Sequence, residues 1–164
     1  MSVDVVNLGD LEYERFEGGV RFAADWGDIS RRSGGRKLGA GHWIVPPGKA
    51  SVPYHAHLVN EELFFVRRGY GQLRTPEGVR DVRPGDFFLC PPGPGGAHGV
   101  RNTGDGPLEI LALSTMEEPE VSEYPDSGKI YVLVGAAPGG DAAVRTVDLL
   151  FRREQAVDYL DGER

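Results

Sequence analysis

A single cysteine, Cys90, stands in a chain of 164 residues, so no disulfide can form within it and a reducing cytoplasm is the expected compartment. Basic residues are also scarce. Against 25 Asp and Glu there are 18 Lys and Arg, a formal net charge of −7, and no basic run exceeds the pairs Arg31-Arg32 and Arg67-Arg68. Binding a phosphate backbone needs clustered cations, so nucleic acid is not an expected partner. Long apolar runs are missing as well: the longest, Ile130 to Ala137, falls far short of the ~18 residues of a membrane span, and no membrane partner is expected. Residues 1–10 are acidic and carry neither the basic nor the apolar region of a secretion signal. Apart from the last twenty residues, no stretch of ten or more keeps helical spacing without a Gly or Pro, which excludes a helix bundle.

What is present is Gly (24) and Pro (12) in a chain that is 40% hydrophobic, so these residues mark turns between buried segments rather than disorder. From Leu38 onward, apolar runs of four to eight residues alternate with turn signals such as Pro46-Pro47-Gly48, Pro76-Glu77-Gly78, Arg83-Pro84-Gly85-Asp86 and Pro91-Pro92-Gly93. Turns about 8–12 residues apart are the pattern of an all-β sandwich or barrel. Residues 1–37 read as an irregular lead-in with short strands, and residues 38–115 as the barrel core. In the extension 116–164, Met116 to Gly128 is acidic and Pro-interrupted, Lys129 to Val134 and Val144 to Phe151 read as strands, and Arg153 to Leu160 as one or two helical turns. That extension is too apolar to be a free linker and is expected to dock on the barrel, making residues 1–164 a single domain. Along Glu62 to Val66, Phe64 and Val66 point one way while Leu63 and Phe65 point the other. A strand apolar on both faces needs cover on both, supplied by a terminal extension or by a second subunit; a homodimer is expected.

Two of the four histidines form His55-Ala56-His57. On a strand, residues i and i+2 share a face, so both imidazoles can reach one ion. Leu58 to Asn60 can turn the chain so that Glu62 adds an oxygen, and farther on His98 opens another strand that ends near Asn102.

At these residues the chain resembles the cupin superfamily. Gly48, His55, His57, Glu62 and Gly69 resemble its first motif, G-x5-H-x-H-x3-4-E-x6-G, and Gly85, Pro91, Gly93, His98 and Asn102 its second, G-x5-P-x-G-x2-H-x3-N. Six residues rather than five separate Gly48 from His55, and four rather than two separate Gly93 from His98. The segments Ala24 to Ser30, Leu113 to Met116 and Tyr124 to Lys129 look like a functionally uncharacterised subgroup of single-domain cupins. The resemblance implies a double-stranded β-helix (jelly-roll) barrel with N- and C-terminal extensions packed on it. It also implies one divalent transition metal (Fe, Mn, Ni, Zn or Cu) held by His55, His57, Glu62 and His98, since ligand type alone does not choose among these metals.

Other polar residues have plainer readings. His42, beside Trp43 and Ile44, reads as a hydrogen-bonded core or rim histidine, Glu61 as a solvated neighbour of the ligand Glu62, and Cys90 as a small buried hydrophobe. Tyr54, Phe64 and Arg74 either line the pocket or belong to the core and surface, and Tyr124 or Lys129 could cover the barrel mouth. The resemblance implies a metal-dependent enzyme acting on a small polar metabolite, sugar-like or carboxylated, with a dioxygenase, isomerase or lyase reaction. The alternative is a non-catalytic small-ligand-binding or sensor cupin; the absence of a helix-turn-helix segment favours the enzyme.

Overall fold

The structure is a computed structural model that describes residues 3–163; residues 1, 2 and 164, the ends of the expected 1–164 domain, lie outside the described residues. The lead-in is more ordered than its sequence suggests. It forms β1 (Glu14–Gly18) and β2 (Phe22–Asp28), then a short helix, α1 (Ile29–Ser33), within the stretch read as irregular with short strands. The Asp28 side chain caps that helix on Arg31 N, and Gly34 ends it in the left-handed region, a start and stop that the hydrophobic pattern does not reveal.

The barrel follows with β3 (Leu38–Val45), β4 (Ala56–His57), β5 (Glu62–Arg68), β6 (Gly71–Thr75), β7 (Gly78–Val82), β8 (Phe87–Cys90), β9 (Gly99–Asn102) and β10 (Leu108–Thr115). The extension adds β11 (Glu120–Tyr124), β12 (Lys129–Val134) and β13 (Val147–Arg152). β11 lies inside the stretch read as acidic and interrupted. The expected terminal helix is a single 3-10 turn, Arg153–Gln155. All strand pairs are antiparallel. They form a six-stranded sheet in the order β1-β2-β3-β10-β5-β8, a four-stranded sheet β13-β12-β11-β4 and a three-stranded sheet β7-β6-β9. This is an all-β jelly roll.

Register decides which side chains face inward. In β5, β10 and β3, the partners Val66↔Ile110↔Trp43 and Phe64↔Ala112↔Gly41 share one face, because directly paired residues project to the same side. That face closes on Val45, Leu73, Val82, Val100 and Leu108 as one continuous core. The opposite face carries Leu63, Phe65, Leu111 and Leu113, with Phe87 and Leu89 of the edge strand β8 exposed. Two motif residues build the frame. Gly69 turns out of β5 at φ +84, and a Cβ there would overlap Pro107 and Leu108. Asn102 is fully buried; its amide donates to Val45 O (2.7 Å) and Gly106 O (2.8 Å), and its side-chain oxygen accepts from Gly104 N (2.8 Å). It pins the turn between β9 and β10 to the end of β3, a structural role.

Candidate metal centre

The four expected ligands arrive from four places in the fold and meet inside the barrel. His57 lies on β4, and His55 just before it bridges His98, with His55 N–H donating to His98 O (3.0 Å) and His98 N–H to His55 O (2.8 Å). Glu62 opens β5 on the inward face, opposite Ser114 and Cys90. The four-residue spacing between Gly93 and His98 is taken up by a 3-10 turn, Pro94–Gly96, whose lead-in residue Gly93 donates its N–H to His57 O (2.7 Å). The insertion therefore ties the two motifs together rather than pushing His98 away.

Ligand atoms of His55, Glu62 and His98 lie within 4.8 Å of one another. His57 joins them: its Nε2 is 3.1 Å from His55 Nε2 and 3.3 Å from Glu62 Oε2, and His98 Nε2 is 3.0 Å from the same carboxylate oxygen. The outward nitrogens are all engaged. His55 Nδ1 donates to Pro53 O (2.9 Å) and His98 Nδ1 to Gly96 O (2.9 Å). A carbonyl only accepts, so both rings carry a proton on Nδ1, which leaves each Nε2 directed at the centre, where it can hold a proton or an ion. His57 Nδ1 faces Ser122 Oγ at 3.2 Å and Glu120 Oε2 at 3.7 Å. Glu62 Oε2 is buried, and its near contacts are the Nε2 atoms of His57 and His98. Imidazole nitrogens converging on one buried carboxylate suit a cation, which takes the place of the protons shared between them. The residues present fit a divalent metal.

The electrostatics follow the same geometry. Burial, with His98 and His57 close by, pushes His55 down to about 3. Burial also lowers His57, but hydrogen bonds to Glu120 and Glu62 outweigh it and raise the ring to about 9. For His98, burial is outweighed by hydrogen bonding to Cys90 and Glu62, again to about 9. Burial alone would raise Glu62, yet its contacts with His57 and His98 hold it far below the ordinary carboxylate value. Glu62 is thus ionised against protonated His57 and His98, and a bound ion would displace the protons of those two rings.

The remaining sequence-level readings are placed as follows. His42 faces the opposite side of β3, buried, with Nδ1 2.8 Å from Tyr13 Oη and Nε2 3.6 Å from Glu109. Glu61 is exposed. Tyr124 stacks on His55 with ring centroids 5.8 Å apart, and Phe64 approaches His98 at 5.1 Å. Arg74 and Tyr54 lie elsewhere, with the guanidinium 3.9 Å over the Tyr54 ring and bidentate to Asp126 (2.6 and 2.8 Å). A cavity of about 530 Å³ opens beside the cluster, walled by Trp26, Trp43, Phe64, Tyr124 and Tyr131.

Glu120 and Ser122 were not singled out in the sequence. They alternate inward on β11, fully or nearly fully buried, and reach His57 across the Ser122↔His57 register. The only local signal is the spacing i, i+2, which a short acidic segment next to a proline does not make distinctive.

Residues 41–114 match the family model for the cupin domain. An uncharacterised protein of Methanocaldococcus jannaschii is 31% identical over 84 residues, 49% of this chain; the chain spans 65% of that relative's length. Among solved structures, a sugar phosphate isomerase from the cupin superfamily of Silicibacter pomeroyi superposes with a TM-score of 0.76 at 21% identity, over 96% of this chain and 98% of that one. A protein of Acidithiobacillus ferrooxidans, provisionally named a sugar phosphate isomerase, gives a TM-score of 0.76 at 21% identity over 94% and 95% of the two chains. A predicted oxalate decarboxylase of Thermotoga maritima gives 0.58 at 22% identity, over 68% of this chain and 98% of that one. At these identities the likeness to the solved structures is one of fold.

Proposed function

We propose that this chain is a member of the cupin superfamily and a metal-dependent enzyme acting on a small oxygenated metabolite, sugar-like or carboxylated. The metal is one divalent transition ion, Fe, Mn, Ni, Zn or Cu, and His55, His57, Glu62 and His98 are its ligands. The observation that carries this reading is the convergence of the buried Nε2 atoms of His55, His57 and His98 on the Glu62 carboxylate. When bound, such an ion supplies Lewis acidity toward a substrate oxygen at an open coordination position. The protein's own residues do the rest. Carbonyls of Pro53 and Gly96 orient two rings, Ser122 and Glu120 orient the third, and aromatic side chains give the chamber beside them an apolar lining.

The test is metal analysis of the untagged full chain. About one divalent ion per chain is expected, lost or strongly weakened in His98→Ala and kept in His42→Ala, whose ring lies on the other face of β3. Full occupancy in His98→Ala would remove the site as drawn. A protein that takes up metal and ligand but turns nothing over would be the non-catalytic small-ligand binder instead.

The same proposal treats residues 1–164 as one working unit in the cytoplasm. Pairing of β11 with β4 and the contact of Glu120 with the 58–60 loop support the docking of the extension, and the free, buried Cys90 suits a reducing compartment. Among the described residues no helix is long and apolar enough to cross a membrane. Self-association into a homodimer through the outer face of the six-stranded sheet is supported by Phe87 and Leu89, which are 66% and 56% exposed next to Leu63 and Phe65.

A further inference from the structure

We infer, resting on the metal reading above, that the chamber beside the His/Glu cluster takes a compound with a flat, apolar body ending in a carboxylate or enolate oxygen, and discriminates against phosphorylated sugars. A phosphate dianion leaving water needs cations or several converging donors, because a doubly charged group without them bears its full desolvation penalty. Beyond the metal centre itself, the chamber offers few of them. Of the described residues that line it, Arg15 is the one Lys or Arg. Its guanidinium is already engaged, Nε with Glu17 (2.8 Å) and Nη1 with Asp25 (3.0 Å), and Glu14 lies beside it on the lining. Tyr131 donates its hydroxyl to Asp148 (2.8 Å), Ser30 to Asp28 (3.0 Å) and Ser114 to Thr115 O (2.8 Å), and Ser122 is taken up with His57, which leaves the neutral hydroxyls of Ser51 and Tyr124.

Cations do gather elsewhere in this acidic chain. Arg21, Arg74, Arg101 and Lys129 line an adjoining groove on the outer face of the β7-β6-β9 sheet, which meets the chamber at Val52, Pro53 and Val100 and holds Asp126 as its carboxylate. The shortage inside the chamber is therefore a property of the chamber.

What the chamber does offer is flat apolar surface. Trp26 and Trp43 face each other across the β2–β3 register, with ring centroids 4.6 Å apart and planes tilted by 45°. The backbone makes room for them, since a Cβ at Gly41 would overlap the Trp26 indole and one at Gly39 would overlap Met116. Phe64, held in a stack with Phe88 at 4.8 Å, continues this surface to His98. A planar unsaturated body gains both burial and ring contacts against such walls, and its oxygen end reaches the cluster.

Both tryptophans of the chain line the chamber, so indole emission reports its occupancy directly. Full-length protein is loaded with zinc and titrated with benzoate, acetate and a ribose phosphate, followed by calorimetry and by tryptophan fluorescence. Benzoate is expected to bind roughly tenfold or more tightly than either competitor and to change the indole emission. Acetate tests the carboxylate without the flat body, and the comparison uses only the wild-type chain. Zinc uptake followed by ribose phosphate matching or outcompeting benzoate overturns this inference alone, as does benzoate binding no tighter than acetate. Failure of zinc to bind overturns the metal reading and this inference with it.

Discussion

Replacing Glu120 by alanine should damage fold and metal centre together. The carboxylate is 0% exposed and accepts from the backbone N–H groups of Leu58 (3.1 Å), Val59 (3.4 Å) and Asn60 (3.0 Å), and from the Asn60 side-chain amide. It also lies 3.7 Å from His57 Nδ1. One side chain from β11 therefore holds the loop that joins the proposed ligands His57 and Glu62. Removing one member of a buried, charged network costs about 3–5 kcal/mol. Orphaning a buried donor costs about 1–3 kcal/mol, and of the three residues donating backbone N–H only Asn60 is itself buried, so the network figure is not multiplied by three. At about 2–4 °C per kcal/mol for a chain of this size, the melting temperature should fall by roughly 6–20 °C. Loss of a partner behind a ligating histidine should weaken zinc binding by about 10–100-fold. Glu120→Gln keeps the shape and one acceptor oxygen, and should fall between the two. Urea denaturation gives the stability and calorimetric zinc titration the affinity. Glu120→Ala within about 0.5 kcal/mol of wild type, with unchanged zinc affinity, would refute the reasoning.

The same residue sets a pH dependence. Burial pushes Glu120 up, but its hydrogen bonds with His57 and Asn60 prevail and hold it below the ordinary value; a depressed folded-state pKa contributes stability that is present above the unfolded pKa and lost as pH falls. Urea midpoints of the wild type should therefore drop below about pH 5, and more shallowly in Glu120→Gln; parallel curves would contradict the assignment. Truncation after Thr115 keeps all four proposed ligands but removes β11 and Glu120, so the fragment should aggregate or lack a cooperative melt by circular dichroism. A soluble 1–115 fragment that binds zinc and melts like the full chain would make the extension an independent appendage. Phe87→Glu with Leu89→Glu should convert a dimer to a monomer in light scattering, and a wild-type monomer at micromolar concentration would end the dimer proposal.

The sequence by itself determined the class of fold through short-range spacing, and the set of residues brought to the centre through its resemblance to the two cupin motifs. Turns every few residues dictate short antiparallel strands, and His55-Ala56-His57 puts two imidazoles on one face whatever the strand pairs with. Gly69, Gly93 and Asn102 are legible for the same reason, as each serves a turn made by its own neighbours. Helix α1 and the 3-10 turn that absorbs the second-motif insertion were not legible, since capping and loop hydrogen bonds rather than periodicity create them. Glu120 was hidden more deeply. Nothing in Pro119-Glu120-Val121-Ser122 distinguishes a solvated carboxylate from a buried one. Its role arises because β11 pairs with β4 in a register that sets Ser122 opposite His57, some sixty residues away in the chain. The aromatic chamber was likewise decided in three dimensions: Trp26 and Trp43 become one wall only when β2 meets β3 in register and Gly41 leaves space for an indole. Which residues can bind is a matter of local pattern, whereas what stands behind and around them depends on strand register, and register is settled by the packing of the whole barrel.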